Sequence, residues 1–268
     1  MAGVNDSTVT DPEESGAHAT AEVVVDGVGK TYTGDGTPVR ALDDVSFTVD
    51  SGEFVCLVGP SGCGKTTLFR VVAGLTEATD GAVRLGGTPV TEPTTDMGVV
   101  FQEYYLFPWL TVEENVGFGL ERSGHPAADH DRRVDEMLAL VGLSEFRDTY
   151  PKSLSGGMKQ RVAIARALAV DPALLLMDEP FGAVDAQTRE MLQRELLDVW
   201  ASTGKTVCFV THDVAEAVTL ADRIVVMAAD PGRVESIVDV DVDRPRERDD
   251  PAFGDHVARV RELIGAAP

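Results

Sequence analysis

The sequence predicts an α/β protein of 268 residues built on a parallel sheet covered on both faces. Two strongly apolar strand candidates, ALLLMDE and TVCFVTH, are separated by the helical pattern AQTREMLQRELLDVWAST. A further apolar run, EFVCLVG, leads straight into a glycine-rich loop that is followed at once by helical spacing. Strands that are apolar throughout, rather than at every second residue, belong in a sheet with no solvated face.

Taken in order, residues 1–20 are polar, acidic and aperiodic, the pattern of a disordered tail, and no function is assigned to them. From Ala21 to Val49 come short β-branched runs, AEVVVDGV and DVSFTVD, broken by the turn-rich TGDGTP. TTLFRVVAGL reads as a helix ending at Gly74. Between Gln102 and Pro151 the pattern is mostly helical and strands are missing, so a helical insertion is expected over about 102–160. SGGMKQRVAIARALAV is an amphipathic helix, and RIVVM is a last strand candidate. The main domain is expected over 21–240. DRPRERDDPAFGDHVARVRELI, within 241–268, reads as a proline-broken linker leading to a short terminal helix. No internal repeat is present.

Forty-five acidic residues stand against twenty-three basic ones, only five of them lysine, for a net charge of −22. Such a surface repels nucleic-acid phosphates and disfavours a nucleic-acid partner. The same balance suits a halophilic host, where salt screens the self-repulsion, although an acidic mesophilic protein would share it. No apolar run approaches the roughly twenty residues of a membrane span, and the N-terminus lacks a basic segment followed by an apolar one, so a soluble chain in the cytoplasm is expected. Cys56, Cys63 and Cys208 have no metal-ligand spacing and read as reduced core thiols.

The chemistry concentrates in three motifs. GPSGCGKTT comprises Gly59, Pro60, Ser61, Gly62, Cys63, Gly64, Lys65, Thr66 and Thr67, after a strand and before a helix. In that context glycines let backbone N–H groups turn inward around phosphate oxygens, and the helix N-terminus points at the same place. Lys65 would reach the β- and γ-phosphates, and the Thr66 hydroxyl would ligate Mg²⁺. The bland alternative is a structural turn. LLLMDEP puts Asp178 and Glu179 at the end of a buried strand, where two carboxylates are costly unless a cation or a proton-transfer task holds them. Asp178 would hold Mg²⁺ and Glu179 would orient or deprotonate a water; otherwise the pair caps the next segment. His212 ends the following strand and either contacts the γ-phosphate or is structural.

Together with LSGGM, FGAVD and THD, these motifs resemble the ATP-binding cassette (ABC) ATPases over about residues 21–240. The resemblance implies a RecA-like P-loop NTPase core, an N-terminal antiparallel β subdomain and an inserted helical subdomain. It implies ATP and Mg²⁺ as cofactors, a dimer that closes on ATP, and hydrolysis of that ATP coupled to transport. By the same resemblance Tyr32 would stack on adenine, unless it is an ordinary core aromatic. Gln102 would sense Mg²⁺ and water and relay to a transmembrane partner, unless it is a plain surface residue. Ser155, Gly156 and Gly157 would face the ATP held by a second copy of the chain, and Asp185 would join the two copies. Met158 stands where many relatives have glutamine; the backbone donors beside it are unaffected, so activity is expected to survive.

FQEYYLFPWLTVEENVGFGL, PFGAVDAQTRE and THDVAEAVTLADRIVVM resemble more narrowly the ATPase subunits of nitrate, sulfonate and taurine importers. Methionine after LSGG and the RPRERDDPAF tail are also similar to that group. This implies transmembrane permease subunits as partners, an extracellular solute-binding protein acting indirectly, and a peripheral position at the cytoplasmic face of the cell membrane. Cargo choice lies in the binding protein, outside this chain. QEYYLFPWL carries more aromatic surface than a polar loop needs, so it either docks a permease helix or belongs to the core. Two other classes fit less of the sequence: a cassette working without a membrane partner, and a nucleotide-binding regulator without catalysis.

Overall fold

The computed structural model describes residues 20–266 apart from Asp35 and Ala183. The expected disordered tail, save Thr20, lies outside the described residues. The chain opens with β1 (Val23–Tyr32) and β2 (Val39–Val49), followed by β3 (Phe54–Val58) and α1 (Lys65–Val72). β4 (Asp80–Leu85), β5 (Thr88–Pro89) and β6 (Met97–Val100) come next. β1, β2, β4 and β5 form an antiparallel sheet in the order β2-β1-β4-β5, the expected N-terminal β subdomain. Val23, Val25 and Val28 of β1 and Leu42, Val45, Phe47 and Val49 of β2 face its core side.

The second half supplies α4 (Gly156–Ala169), β7 (Leu174–Asp178), α5 (Ala186–Thr203), β8 (Thr206–Val210), α6 (Val214–Leu220), β9 (Arg223–Ala228) and β10 (Arg233–Asp239). The main sheet runs β10-β9-β3-β8-β7-β6, parallel except for the antiparallel edge strand β10. It is buried on both faces, but the two covers differ. Phe54, Cys56 and Val58 of β3 pack among residues of α4, α5 and α6, whereas Val55 and Leu57 pack against α1 and the antiparallel sheet. An antiparallel sheet with one apolar face covers that side with only one helix beside it. β4, β5, β6 and β10 were not expected as strands: they are short or carry exposed charges, and pairing with a strong neighbour holds them extended.

The helical insertion is present as α2 (Val112–Gly117), α3 (His130–Leu140) and three single 3₁₀ turns. Thr111 and Glu114 form a reciprocal capping box at the start of α2. α4 packs on α2, α3 and β6, so it belongs at once to the insertion and to the main sheet. All three cysteines are buried and free, as expected.

The C-terminus carries a helix after the segment 240–250, as expected, but both are packed on the domain. α7 (Pro251–Ala266) is sixteen residues long, buries Phe253 and Val260 and packs on α6 and β9. The preceding segment is a clamp. The Arg246 guanidinium, 9% exposed, donates to the carbonyls of Val242 (2.7 Å), Val218 (2.7 Å), Ala221 (2.6 Å) and Val240 (3.0 Å). Burial, with Arg244 close by, pulls its pKa down to about 10, and it stays charged at neutral pH. Arg244 bonds Asp222 at 2.6 Å and lies 4.6 Å above the Trp200 ring. Proline breaks the helical pattern here, but Arg244 and Arg246, on either side of Pro245, bind the C-terminal end of α6, where carbonyls lack intrahelical partners. Arg246→Met keeps the volume and strands four carbonyls, so it should cost roughly 3 kcal/mol and lower Tm by roughly 6–12 °C. A thermal melt unchanged within about 2 °C would refute the clamp.

Candidate functional site

The polar residues gather where the main sheet's parallel strands end. β3 runs into the loop 59–64, β7 ends at Asp178 and Glu179, and β8, which lies between them, runs into Thr211 and His212. α1 starts at Lys65 and packs on both β7 and β8.

The loop needs its glycines for two different reasons. Gly64 caps α1 at φ 88°, a conformation strained for any other residue, and a Cβ there would lie 2.6 Å from Leu42 and 2.9 Å from the Ala41 carbonyl of β2. Gly59 has no such φ, but a Cβ on it would meet the Met227 carbonyl at 2.6 Å. The antiparallel sheet and β9 thus press the loop from outside. Lys65 turns back inside it, 8% exposed, with Nζ 2.8 Å from the Gly59 carbonyl and 3.1 Å from that of Pro60. The first N–H groups of α1 have no acceptor within the helix, so loop, helix end and ammonium present one positive concavity.

Asp178 and Glu179 are half-buried rather than enclosed, because β7 ends there. Burial, then the Glu179 charge, pushes the Asp178 pKa up to about 6, against the pull of Lys65 and Arg70. Lys65 is therefore electrostatically linked to Asp178 across β8. Glu179 adopts φ 45°, uncommon for a side-chain-bearing residue. Its N–H bonds the Val210 carbonyl at 2.9 Å and its carbonyl accepts from Gly182 at 3.0 Å, which hold the kink in place. The kink sends the carboxylate to His212, whose Nδ1 lies 3.0 Å from Oε2. A carboxylate only accepts in that contact, so Nδ1 carries the proton and Nε2 is left for a ligand.

Gln102, exposed after β6, reaches the same turn: its Nε2 lies 3.2 Å from where a Cβ on Gly182 would sit. Tyr32 is 42% exposed, so it is not a core aromatic, and Lys30 Nζ lies 5.3 Å from its ring centre. It pairs with Val39, two residues from the Ala41 carbonyl that abuts Gly64, which puts it at the rim of the loop.

Ser155 is the N-cap of α4, its hydroxyl accepting from the Met158 N–H at 3.3 Å. Ser155 and Gly156 are exposed, and the Met158 side chain packs on the core. Cβ positions on Gly156 and Gly157 would be nearest Tyr104, Val184, Thr188 and Leu192, none of them in the loop 59–66. Asp185 caps α5, accepting from Thr188 N–H at 3.0 Å, and this bond holds its carboxyl below the usual range. The structure therefore links Lys65 with Asp178, Glu179 with His212, and Gln102 with the turn at Gly182, whereas Gly156 and Gly157, next to Ser155, have their neighbours in Tyr104, Val184 and the start of α5, where Asp185 is the cap. Arg189, Gln193, Thr211, Asp213 and Glu216, which join α5 to the histidine loop, were not anticipated. Glu216 left one signal, a carboxylate on the apolar side of α6; Arg189 left none.

Among the described residues no cluster of three or more His, Cys, Asp or Glu could hold a metal ion. One carboxylate, one hydroxyl and one amide suit Mg²⁺ that brings phosphate oxygens and water with it. With the positive concavity beside them, these residues fit a Mg-nucleotide. On this sheet that is the site of a phosphate-loop nucleoside triphosphatase.

The family model described as ABC transporter matches residues 42–182, and the chain belongs to that family. As its ATP-binding cassette, it is an ATPase of the transport-coupled kind. It is 50% identical over 240 residues to an uncharacterized ABC transporter ATP-binding protein of Methanocaldococcus jannaschii, covering 90% of each chain. It is 46% identical to the nitrate import ATP-binding protein of Synechococcus elongatus, over 84% of this chain and 83% of that one. It is 44% identical to an aliphatic sulfonates import ATP-binding protein of Bacillus cereus, over 86% and 91%. Among solved structures, a dimeric ATP-binding cassette in a post-hydrolysis state with ADP and Pi superposes with a TM-score of 0.71 at 34% identity, covering 82% of this chain and all of that one.

The raised pKa of Asp178 has a checkable sign. A free aspartate titrates near ~3.9, and here the value is about 6. The protonated form is favoured by the fold, so this contribution to stability is complete below pH ~4 and is lost as pH rises through about 6. Asp178→Asn should accordingly raise the Tm of nucleotide-free protein at pH 8, and the gain should vanish by about pH 4. A gain that does not change with pH would show that the carboxyl is not shifted.

Proposed function

We propose that the chain is the ATP-hydrolysing subunit of an importer for a small oxyanion such as nitrate or a sulfonate, and that two copies close on ATP. Lys65, the N–H groups of residues 61–67 and the Tyr32 ring hold the nucleotide. Thr66, Asp178 and Gln102 hold its Mg²⁺. Bound ATP supplies the γ-phosphoryl group that water attacks. Glu179 takes the proton of that water, and His212, fixed through Nδ1, offers Nε2 to the phosphate side. The observation that carries the two-copy reading is the placement of Ser155 and Gly156: an exposed helix N-terminus whose near neighbours are not the chain's own phosphate loop. Its donors suit an anion that only another chain can bring.

The permease side of the reading rests on residues 104–118. The insertion exposes Trp109 (69%), Tyr105 (60%) and Phe118 (55%), while Tyr104 and Leu106 pack on the core, so the aromatic stretch divides between the two roles. Exposure here does not come from a loose loop. Buried Asn115 bonds the backbone of Phe107, Leu110 and Thr111, and Arg166 of α4 donates to the carbonyls of Tyr104 and Tyr105. Trp109, Phe118, Glu113, Glu121, Arg122 and Arg147 line a hollow of about 800 Å³, in which Arg147 is paired with Glu113. That hollow suits a permease helix with an apolar ridge and polar flanks, which would hold the subunit at the cytoplasmic face of the membrane. Among the described residues no helix is long and apolar enough to cross a membrane. An extracellular binding protein would choose the cargo.

Two experiments test this. Glu179→Gln removes the base and keeps the ATP, so light scattering should show a dimer with MgATP and a monomer without it. Adding Ser155→Arg should abolish that dimer while monomer affinity for ATP stays the same; a parallel loss of affinity would put LSGG in its own chain's site and end the two-copy mechanism. Trp109→Ala, reconstituted with the permease, should lower transport about tenfold with the isolated subunit's ATPase intact, and unaltered transport would refute the docking surface.

A further inference from the structure

Between the face that carries Asp185 and the site that carries His212 runs one helix, α5, and it grips both. Its first turn holds Phe181 and Val184: Arg189 Nε donates to the Phe181 carbonyl (3.3 Å) and its second terminal nitrogen donates to the Val184 carbonyl (3.2 Å). The remaining Arg189 nitrogen lies 3.7 Å from Asp213 Oδ2. Asp213 follows His212, and its other oxygen caps α6 by accepting from Ala215 (2.9 Å) and Glu216 (3.2 Å). One turn along α5, Gln193 donates to Glu216 Oε1 at 2.9 Å. Glu216 Oε2 accepts from the Thr211 hydroxyl, which itself accepts from the Asp213 N–H at 3.0 Å. The residues on both sides of His212 are thus fastened to α5 through positions 189 and 193, which share one helix face.

Gln193, Glu216 and Thr211 are 2%, 4% and 2% exposed. An apolar trio of the same volume would be no less stable, since a buried carboxylate is costly even when satisfied. What a satisfied polar network adds is a single arrangement. The space left among Glu179, Gly182, Arg189, His212, Asp213 and Glu216 is about 10 Å³, no more than one water. With no slack, a shift of Phe181 and Val184 is not absorbed locally.

We propose that α5 is a lever in which Arg189 and Gln193 are positioning residues: they set His212 against Glu179 according to how Phe181 and Val184 are seated, and so make hydrolysis depend on the second copy. The proposal rests on the two-copy reading above and on the role given there to His212.

Its test uses the full chain with Arg189→Lys, which keeps the charge but cannot fork to two carbonyls, and Gln193→Leu, which keeps the volume but drops the bond to Glu216. In each, kcat should fall by about ten- to hundredfold, with KM for ATP unchanged within about twofold. NMR of isotope-labelled histidine, with His212 assigned from a His212→Ala sample, should show the Nδ1–H signal of the Glu179 contact shifted or broadened. An unperturbed signal with wild-type kcat in both variants overturns the lever. So does a loss of kcat with the signal intact, because the helix would then not act through His212. If one variant fails to fold, the other carries both readouts. Wild-type kcat in His212→Ala would sink the catalytic reading of the histidine itself, a failure separable from that of the lever.

Discussion

The register of three parallel strands governs this molecule. β3 pairs Leu57 with Val210 of β8, and β8 pairs that same Val210 with Asp178 of β7. That alignment makes the phosphate loop, the histidine loop and the acidic pair leave the sheet at one level. A slip by one residue would turn Phe54, Cys56 and Val58 from the helical cover to the antiparallel one, so burial on two unlike faces enforces the register. The site inherits its precision from packing that has no direct part in the chemistry.

At that edge the polar groups are held by strain and by charge rather than by depth. Glu179 is forced into a left-handed conformation by two backbone bonds, and Asp178 sits half-buried beside it with a raised pKa. Lys65 opposes that rise while its ammonium is bonded to loop carbonyls. Such an arrangement costs stability in the isolated chain and suits a ligand that brings cation and phosphates together. The proposed in-trans contact adds the same logic on another face, where the N-terminus of α4 stands exposed.

Two helices tie these faces together. α4 starts at Ser155 and, through Arg166, holds the aromatic loop that would meet a permease. α5 starts at Asp185 and, through Arg189 and Gln193, holds the loop of His212. Each proposed contact with the second copy therefore begins at a capped helix N-terminus and leads by a rigid element to a loop with another task. The C-terminal clamp closes the far end of α6, so the helix after His212 is held at both ends.

Sequence alone determined the α/β class, the order of the strong strands β3, β7, β8 and β9, the bounds of α5 and the phosphate loop. Apolar runs and glycine spacing are local properties, and GPSGCGKT, LSGG and MDEP each lie within a few consecutive residues. It also suggested which residues would meet, because a parallel sheet sends successive strand ends to one edge. Only the tertiary structure decided that one face of that sheet is covered largely by a second sheet, that β4, β5, β6 and β10 are strands, and that the C-terminal segment is a clamp. Those outcomes depend on partners distant in the chain: β10 is extended because β9 pairs with it, and Arg246 is buried because α6 ends where its carbonyls need donors. The links from Arg189 and Gln193 to the histidine loop were illegible for the same reason, since a charge on an amphipathic helix reads as a solvated face until the loop it holds has been folded against it.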